Sequence, residues 1–505
     1  MTAESAFDCD VLVAGLGPVG AALAVLLSDE GLSVIAVDKE TGVYPLPRAA
    51  HFDHEIMRFF QQLGVAEAVL KHARVAPAYE FRSANGEVLM RMELNRATSP
   101  SGWPASFMFH QPGLEHALRE RLAVAPGADV RLGWAFAGLE QDATGVTARL
   151  SGPEGESEVR ARYLVGCDGA WSPVREACGV RLADYGFDEP WLVIDVRPAA
   201  GAATPEVNLQ ICDPARPTTC VLMGPGRHRW EFMLRPGERA EAALDEVFIR
   251  GLLAAWPCAD GAEIERKAVY RFHGLVADRW RVGRVLIAGD AAHQTPPFAG
   301  QGMCSGLRDA ANLAWKLAAV LRAGADASLL DTYQSEREPH TRALIERAIG
   351  MGRLVCTLDP EAAAARDAAM LAQRASGQRP PMPPPPNFER GFLMAGAPGA
   401  GELFPQPCAR SGSDAAAVRL DDVLGRGPWL LSRSRPTAAR WPPRRLAALD
   451  EPALAPFREA ILKWLDRRGV DAVLVRPDRY VFGAGAADEL ARAYVGQLGL
   501  AAAAP

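Results

Sequence analysis

The chain has 505 residues, about three times the usual domain length, so two or three domains with sizeable cores are expected. Hydrophobic residues make up 49% and charged residues 23%, which excludes a disordered chain or one built from membrane spans. The net charge of -6 argues against nucleic acid or an anionic membrane as a partner, because both require a concentrated basic surface.

Cysteine usage and the N-terminus indicate where the protein works. The nine cysteines include no CxxC pair and no CxxH-type cluster, so neither structural zinc nor a dithiol redox centre is expected, and no metal site is assigned. A short polar lead, Met1 to Ala6, comes before the first apolar run without the features of a signal peptide. No apolar run approaches the roughly 20 residues of a membrane span. We therefore expect a protein of the reducing cytoplasm.

The N-terminal segment has the pattern of a strand, a helix and a second strand. An apolar run ends at Ala14, a helical pattern extends from Pro18 to Glu30, and SVIAVD from Ser33 to Asp38 predicts a second buried strand. This βαβ order is typical of the doubly wound sheets of α/β proteins.

A glycine motif, Gly15-x-Gly17-x-x-Gly20, lies between that first strand and the helix. Gly15 permits a tight turn, Gly17 lets backbone amides approach a pyrophosphate, and Gly20 allows close packing of helix and strand. Asp38 ends the second strand, where a carboxylate can accept hydrogen bonds from ribose hydroxyls. In this context the motif predicts dinucleotide binding, but it does not separate FAD from NAD.

The rest of the chain divides into further units. Four β-rich runs between Trp191 and Arg235 predict a separate antiparallel sheet, and helical periodicity returns from Gly302 to about Arg353. A proline-rich stretch then predicts a linker, because proline fixes φ and lacks a donor. The unit after it has an α/β pattern, with a helix around 457–468 and one strand expected over 472–482.

These patterns set the predicted domain boundaries. The nucleotide-binding domain is expected in two parts, 1–180 and 281–378, with the antiparallel substrate sheet inserted at 181–280. The linker is expected at 379–390 and the C-terminal unit at 391–505.

Two later segments favour FAD over NAD. One is CDGAWSPVR at 167–175, and the other is GRVLIAGDAAH at 283–293, followed by PP at 296–297 and GQGM at 300–303. The buried strand of the second segment delivers Asp290 to the carboxyl end of a sheet, where it can bond ribityl hydroxyls. The glycine-rich turn leads into a helix near Met303, whose free amides and positive dipole end suit an anionic reduced flavin ring.

Taken in this order, the three segments resemble the fingerprints of the FAD-dependent single-component aromatic hydroxylases, the family typified by 4-hydroxybenzoate hydroxylase. The resemblance covers about residues 8–350, and three stretches, 212–217, 229–238 and 300–317, are most similar to the 3-(3-hydroxyphenyl)propionate hydroxylases. It implies an α/β architecture with a Rossmann-like FAD-binding domain, an inserted antiparallel β-sheet substrate domain and a C-terminal thioredoxin-like domain. Without a CxxC pair, the last domain should have no thiol chemistry.

The resemblance also implies roles for individual positions. Arg48 and Gln111 would reach the pyrophosphate and ribityl chain, and Pro297 would border the isoalloxazine and is a catalytic candidate. The full set of implied cofactor-binding residues is Gly15, Gly17, Gly20, Asp38, Lys39, Arg48, Gln111, Asp168, Arg229, Asp290, Pro297, Gly302 and Met303.

The implied substrate pocket consists of Gln210, Val221, Met223 and Glu231. Val221 and Met223 stand where the 4-hydroxybenzoate enzyme has a serine and an arginine that clamp the substrate carboxylate, so that substrate is not expected.

Glu231 is the candidate catalytic base. By the period of two in a strand it shares a face with Arg229, so it faces the flavin if Arg229 does. A buried carboxylate is either a base with a shifted pKa or the partner of a neighbouring arginine, and both interpretations stand. Other conspicuous residues have plainer expected roles: a structural histidine (His293), a small buried residue (Cys304) and packing aromatics (Trp171 and Trp230).

The resulting hypothesis is an FAD-dependent monooxygenase that uses NADH or NADPH and dioxygen to hydroxylate a phenol, such as 3-(3-hydroxyphenyl)propionate, ortho to its hydroxyl. NAD(P)H would bind transiently, since no second dinucleotide fold is visible, and a homodimer is one expected assembly. Three alternatives remain: a flavin-dependent halogenase, although its WxWxIP string is absent, another FAD oxidoreductase, and a flavin-binding sensor without catalysis.

Overall fold

The computed structural model describes residues 7–94, 99–377, 386–409, 417–435 and 446–500. Most of the predicted linker at 379–390 lies outside the described residues, and its last part, 386–390, has no helix or strand. Among the described helices, none combines the length and the apolar character needed to cross a membrane.

The chain up to residue 180 supplies strands to more than one sheet. Its helices are α1 (Pro18–Asp29), α2 (His54–Leu63), α3 (Ala66–Leu70), α4 (Gln111–Ala123) and α5 (Pro173–Ala177). Its strands are β1 (Cys9–Ala14), β2 (Val34–Asp38), β3 (His51–Asp53), β4 (Ala73–Val75), β5 (Ala78–Ser83), β6 (Val88–Glu93), β7 (Ser106–Phe109), β8 (Ala128–Leu132), β9 (Ala135–Gln141), β10 (Val146–Gly152) and β11 (Gly155–Gly166).

The middle of the chain is mainly β, and long helices follow it. The next elements are β12 (Leu182–Arg197), β13 (Asn208–Cys212), β14 (Thr218–Leu222), β15 (His228–Met233), α6 (Ala240–Ala243), α7 (Glu246–Leu253) and β16 (Glu263–Ala277). They are followed by β17 (Arg281–Val282), β18 (Val285–Ile287), β19 (His293–Gln294), α8 (Gly302–Arg322), α9 (Asp331–Val355) and α10 (Pro360–Ala375).

The described part of the C-terminal unit mixes short strands and helices. Its elements are β20 (Cys408–Ala409), β21 (Val418–Arg419), α11 (Leu420–Leu424), β22 (Trp429–Ser432), β23 (Leu446–Ala448), α12 (Arg458–Asp466), β24 (Ala472–Val475), β25 (Val481–Gly485) and α13 (Ala487–Gln497).

The first large sheet has the predicted βαβ beginning. Its strand order is β17-β18-β11-β1-β2-β8, and β1 pairs in parallel with both β11 and β2. Strand β1 is almost wholly buried because it lies between two neighbouring strands and α1 packs beside it, which explains its continuous apolar run. The carboxyl ends of these parallel strands therefore meet at one edge of the sheet.

The second large sheet is the predicted antiparallel one, with more strands than expected. Its order is β19-β16-β12-β15-β14-β13-β5-β6. Strands β5 and β6, from residues 78–93, join it through a parallel pairing of β13 with β5. The predicted boundary between 1–180 and 181–280 therefore does not separate the two sheets, because apolar periodicity in a strand does not identify its distant partner.

The C-terminal unit corrects another expectation. The single strand predicted over 472–482 is a hairpin of β24 and β25. Pro477 and Asp478 favour a turn between them, and Arg479 adopts φ +72°, a conformation that non-glycine residues seldom take. The four-stranded sheet of this unit has the order β23-β22-β24-β25, with one parallel and two antiparallel pairings.

Buried ion pairs attach the C-terminal unit to the rest of the molecule. The Glu336 carboxylate on α9 accepts hydrogen bonds from Lys316 Nζ at 2.8 Å and from Arg476 NH2 at 2.7 Å. A second contact joins Arg58 on α2 to Asp421 at 2.7 Å, and Arg479 lies 2.9 Å from the same carboxylate. All of these side chains are at least 96% buried, so the contact is part of the protein interior.

Candidate active site

One large cavity lies between the two sheets. Its volume is about 1560 Å³, and its wall includes the ends of β1 and β2, the turn after β18 and one face of the antiparallel sheet. All of the predicted cofactor residues except Gly20 line it, and so do Gln210, Val221 and Glu231. The structure thus brings the predicted cofactor and substrate residues into one space.

The three glycines of the first turn meet different constraints. A Cβ on Gly15, which has φ +96°, would lie 2.4 Å from the Cys167 carbonyl oxygen, and a Cβ on Gly20 would lie 1.9 Å from that of Gly15. Gly17 differs, because a Cβ there would have no neighbour within 4 Å. Gly15 and Gly20 are therefore required by packing, whereas Gly17 leaves open space at the cavity wall.

Asp38 is held firmly at the end of β2. Its carboxylate accepts hydrogen bonds from the amides of Leu16 at 2.7 Å and Glu40 at 2.9 Å. These bonds tie the carboxylate to the glycine turn, beside the space that Gly17 leaves open. The neighbouring Lys39 is exposed at the rim of the cavity.

Helix α4 contributes a cation that the sequence analysis missed. Gln111, Glu115 and Arg119 recur every four residues, share one helix face and line the cavity. Arg119 NH2 donates to the Leu16 carbonyl oxygen at 3.2 Å and lies 3.4 Å from the Asp38 carboxylate. Its buried Nε and NH1 atoms have no hydrogen-bond partner among the described residues. The i, i+4, i+8 spacing after Gln111 is the sequence signal that indicates this residue.

Gln111 and Arg229 hold the backbone of the 47–49 loop. Gln111 Oε1 accepts from the amides of Arg48 at 2.9 Å and Ala49 at 2.6 Å. Arg229 donates from NH1 to the Arg48 carbonyl oxygen at 2.7 Å and from NH2 to that of Pro47 at 2.9 Å. Both predicted cofactor residues line the cavity, but their polar atoms position Arg48, whose own side chain is exposed to the cavity over Tyr44.

Two acids approach the cavity from strand ends. Asp290 follows β18, lies deep in the molecule and still has an accessible side chain, because it faces the cavity. Burial raises the pKa of Asp290, and the charges of His293 and Arg48 oppose that rise. Asp168 follows β11 and accepts a hydrogen bond from the Val174 amide at 3.0 Å, while its buried Oδ1 has no partner among the described residues.

The 297–303 segment ends the cavity wall at a helix N-terminus. Pro297 begins a 3-10 turn, Gly300 has φ +61°, and Gln301 precedes α8 without a side-chain cap on the helix. Gly302 and Met303 line the cavity, so uncapped amides and the positive end of the α8 dipole face it. Arg308 donates from NH1 to Gln301 Oε1 at 3.1 Å and thereby stabilises this turn.

The antiparallel sheet presents a polar row to the cavity. Glu231 on β15 lies opposite Thr219 on β14, which lies opposite Gln210 on β13. All three line the cavity, and Val221 does so one step along β14. Met223 is buried in the turn after β14 and is not among the lining residues, which corrects its expected place in the pocket wall.

Glu231 faces the cavity from a poorly solvated position. The residue is 7% exposed, and its Oε1 lies 3.8 Å from Arg229 NH1, too far for a hydrogen bond. Arg229 instead pairs with Asp195 at 2.6 and 3.0 Å. Burial raises the pKa of Glu231 above its ordinary value, against the opposing charge of Arg229. Of the two sequence interpretations, the shifted base fits this geometry better than the satisfied ion-pair partner.

Of the four residues with expected structural roles, three are buried and Trp171 is exposed. His293 is fully buried and bonds Asp309 at 2.6 Å, Trp230 is fully buried in the sheet core, and burial raises the pKa of the Cys304 thiol. Trp171 differs from its expected packing role, because it is 89% exposed at the cavity rim.

The wall of the cavity fits FAD. Gly17 leaves room for a pyrophosphate, Arg119 has unpaired donors beside the Asp38 carboxylate, and Asp290 presents an accessible carboxylate to the same cavity. The uncapped N-terminus of α8 then suits an electron-rich ring edge. The glycine turn, Asp290 and the start of α8 all contribute to the wall of this single cavity.

Comparison with known proteins agrees with this arrangement. Residues 8–348 match a family model described as the FAD binding domain, and residues 454–498 match the HcaD C-terminal domain. A probable NADH-specific resorcinol 4-hydroxylase of Rhodococcus jostii (strain RHA1) is 40% identical over 499 residues, which is 94% of this chain and 91% of that protein.

Two further similarities extend over almost the whole chain. A 3-(3-hydroxy-phenyl)propionate/3-hydroxycinnamic acid hydroxylase of Burkholderia cenocepacia (strain HI2424) is 34% identical over 520 residues, covering 95% of this chain and 94% of that protein. The crystal structure of aklavinone-11 hydroxylase in a ternary complex with FAD and aklavinone has a TM-score of 0.78 at 25% identity, covering 98% of this chain and 100% of that one. The chain belongs to the FAD-binding-domain family of flavin-dependent aromatic hydroxylases.

Proposed function

We propose that this enzyme uses NADH and dioxygen to hydroxylate a phenol at a carbon ortho to its hydroxyl. The observation that carries the proposal is the position of Glu231, a poorly solvated carboxylate on the wall of the cavity that fits FAD. The names of the relatives, a resorcinol hydroxylase and a hydroxyphenylpropionate hydroxylase, support a phenolic substrate, and the first supports NADH as the reductant.

The cofactor would be held along the whole cavity. Gly15, Gly17, Asp38, Lys39 and Arg119 would hold its ADP half, with Arg48 at the pyrophosphate. Asp168 and Asp290 would bind the dinucleotide and the ribityl chain. Pro297, Gly302 and Met303 would border the isoalloxazine, with the α8 amides at its electron-rich edge. When bound and reduced by NADH, FAD supplies the two electrons that activate dioxygen.

The protein's own contribution to the reaction begins with a proton. Hydroxylation by an activated oxygen is electrophilic, so a phenolate ring reacts better than a neutral phenol. Glu231 would accept the phenol proton at a carboxylate oxygen, and the raised pKa of Glu231 makes it a stronger base than a solvated glutamate. The balance is one NADH, one proton, one dioxygen and one ring C–H converted to NAD+, water and a ring C–OH.

The walls of the cavity serve the same reaction in other ways. Arg229 and Gln111 act on the cofactor loop as positioning residues, because their polar atoms bond the backbone at 47–49. Val221 supplies an apolar wall beside Thr219, and enclosure by the two sheets limits access of water to the ring.

We also infer that the C-terminal unit is a thioredoxin-like domain without redox chemistry. Its sheet order, with β22 and β23 parallel and a β24-β25 hairpin followed by α13, supports that assignment. Cys408 is its only cysteine, and Cys408 Sγ donates to the Gly102 carbonyl oxygen at 3.5 Å, so a dithiol cycle within the unit is excluded. The buried ion pairs at Glu336 and Asp421 favour a structural role.

A screen of phenols tests the proposal. The FAD-loaded protein is mixed with NADH and each phenol, and NADH oxidation and product mass are measured. We expect stimulated NADH oxidation and a product one oxygen atom heavier than the phenol. Unstimulated NADH oxidation with every phenol would favour the sensor, and a halide-dependent product mass would favour the halogenase.

A further inference from the structure

The C-terminal unit contributes side chains to the wall of the cavity, namely Glu402, Leu403 and Tyr480. Tyr480 lies directly before β25, and its ring stacks on that of Phe388 with the ring centroids 4.0 Å apart. The residue is buried, and its hydroxyl donates to Glu55 Oε1 on α2 at 2.9 Å. Glu55 lines the same cavity, so this hydrogen bond joins the C-terminal unit to the FAD-binding part at the cavity wall.

The second oxygen of Glu55 belongs to a cluster of charges around Arg308. Arg308 donates from Nε to Glu55 Oε2 at 2.7 Å and from NH2 to Asp53 Oδ2 at 2.5 Å. Burial alone would raise the pKa of Asp53, but the charge of Arg308 holds it below its ordinary value, so this carboxylate is ionised. Two carboxylates thus share one buried guanidinium, and the Tyr480 hydroxyl stabilises the charge of Glu55 from the other side.

The same cluster holds the residue that precedes α8. Gln301 Oε1 accepts from Arg308 NH1 at 3.1 Å, and Gln301 Nε2 donates to Asp53 Oδ2 at 3.2 Å. Gly302 and Met303 come next and line the cavity at the uncapped start of the helix. The position of these amides therefore depends on how Arg308 divides its donors between Gln301 and the carboxylates.

Resting on the proposed function, we propose that Tyr480 is a positioning residue through which the C-terminal unit sets the start of α8 against the flavin ring. Without its hydroxyl, Glu55 would draw Arg308 towards itself, and the bond from Arg308 to Gln301 would weaken. The positive end of a helix dipole stabilises an anion more than a neutral group. A displaced start of α8 would therefore weaken the binding of reduced, anionic FAD more than that of oxidised FAD.

The test compares the same change at two tyrosines of the C-terminal unit. Tyr480→Phe keeps the ring that stacks on Phe388 and removes only the hydroxyl. Tyr494→Phe is the control, since this buried tyrosine on α13 is not among the described residues that line the cavity. The thermal midpoint, the dissociation constant of oxidised FAD and the two-electron reduction potential of the bound flavin are measured without phenol.

Tyr480→Phe is expected to weaken the binding of reduced FAD about threefold to tenfold more than that of oxidised FAD. The two-electron reduction potential should therefore fall by about 15 to 30 mV. Tyr494→Phe should keep the wild-type potential. A loss of packing alone would weaken the binding of both forms equally and leave the potential unchanged, so an unchanged potential in Tyr480→Phe would overturn the proposal. An equal fall in Tyr494→Phe would do the same.

A third variant tests the route through Glu55. If Tyr480 acts on the helix through this carboxylate, adding Tyr480→Phe to Glu55→Gln should change the potential little further. Fully additive shifts would contradict this route and overturn the proposal. A wild-type protein that binds FAD but hydroxylates no phenol would instead contradict the proposed function, and the potentials would still decide the role of Tyr480.

Discussion

Glu231 and Arg229 leave the same strand on the same face, but their partners differ. Arg229 is occupied by Asp195 and by the backbone of the 47–48 loop, so it neutralises Glu231 only weakly at 3.8 Å. The carboxylate is thereby left with a raised pKa on the cavity wall. This combination suits a group that takes a proton and returns it.

Replacing Glu231 by glutamine keeps its shape and removes its charge. A positioned base typically contributes about a hundredfold or more, so product formation should fall by that order. Reduction of the flavin by NADH should stay normal, and peroxide release should rise because the ring is attacked less often. Wild-type kcat/KM should fall as the pH drops through the raised pKa of Glu231, and this acid limb should be missing in the variant. Equal product formation in both proteins across this range would show that Glu231 is structural.

The same substitution makes a prediction about stability. A raised folded pKa means that the folded protein binds this proton more tightly than the unfolded chain, whose carboxyl titrates near 4.5. The stabilising contribution is therefore complete below that pH and is lost as pH rises through the folded pKa. Glu231→Gln avoids this loss, so its thermal midpoint should exceed the wild-type value at pH 8, with a smaller difference at about pH 5. A difference that does not depend on pH would contradict the assigned environment.

At the scale of elements, short connections carry most of the cofactor site. The glycine turn before α1, the end of β2 and the uncapped start of α8 each place backbone amides or a carboxylate on the cavity. Their positions depend on packing within one strand, one turn and one helix. In the first turn, Gly17 leaves space for a ligand, whereas Gly20 allows close packing of helix and strand.

Valine should weaken FAD binding at position 17 and prevent folding at position 20. Gly17 has φ -64° and open space around its Cβ direction, so Gly17→Val should fold with a thermal midpoint near that of the wild-type apoprotein. It should bind FAD at least tenfold more weakly, because the side chain fills the pyrophosphate space. Gly20→Val should fail to fold, since its Cβ would lie 1.9 Å from the Gly15 carbonyl oxygen. Flavin titration and circular dichroism measure both results, and normal FAD affinity in Gly17→Val would contradict the site.

Local patterns predicted these elements because the information they need lies within a few residues. The βαβ start, the antiparallel runs and the face shared by Arg229 and Glu231 all follow from period and turn residues. The hairpin at 472–485 was missed because its apolar strands flank a short polar turn at Asp478. The partners of Arg229 and Gln210 lie more than 30 and 100 residues away, in Asp195 and Tyr79, so no local pattern contains them.

At the scale of the molecule, buried charges join the C-terminal unit to the FAD-binding part. Lys316 on α8 and Arg476 in the C-terminal unit share the Glu336 carboxylate, and all three side chains are fully buried. Charges in such a place must be balanced, because each is costly without its partner. The unit therefore behaves as part of one core, although the sequence marks it as a separate domain.

Removing the shared carboxylate should reveal this coupling. Glu336→Leu leaves Lys316 without a counter-charge and leaves Arg476 with Asp478 alone, so the free energy of unfolding should fall by about 3–5 kcal/mol. Glu241→Gln breaks an exposed pair with Arg239 and should leave the stability unchanged. Denaturant titration followed by tryptophan fluorescence compares the two variants. Equal stability of Glu336→Leu and the wild type would mean that the C-terminal unit is attached by other contacts.

With FAD held in this cavity, the enzyme transfers one atom of dioxygen to a phenolic ring. The most direct test of this reaction is turnover of the FAD-loaded enzyme with NADH, a phenol that stimulates NADH oxidation and isotopically heavy dioxygen, followed by mass analysis of the product. We expect a product that carries one heavy oxygen atom, with NADH consumed in nearly equal amount. A product without heavy oxygen, or NADH consumption that yields peroxide alone, would contradict it.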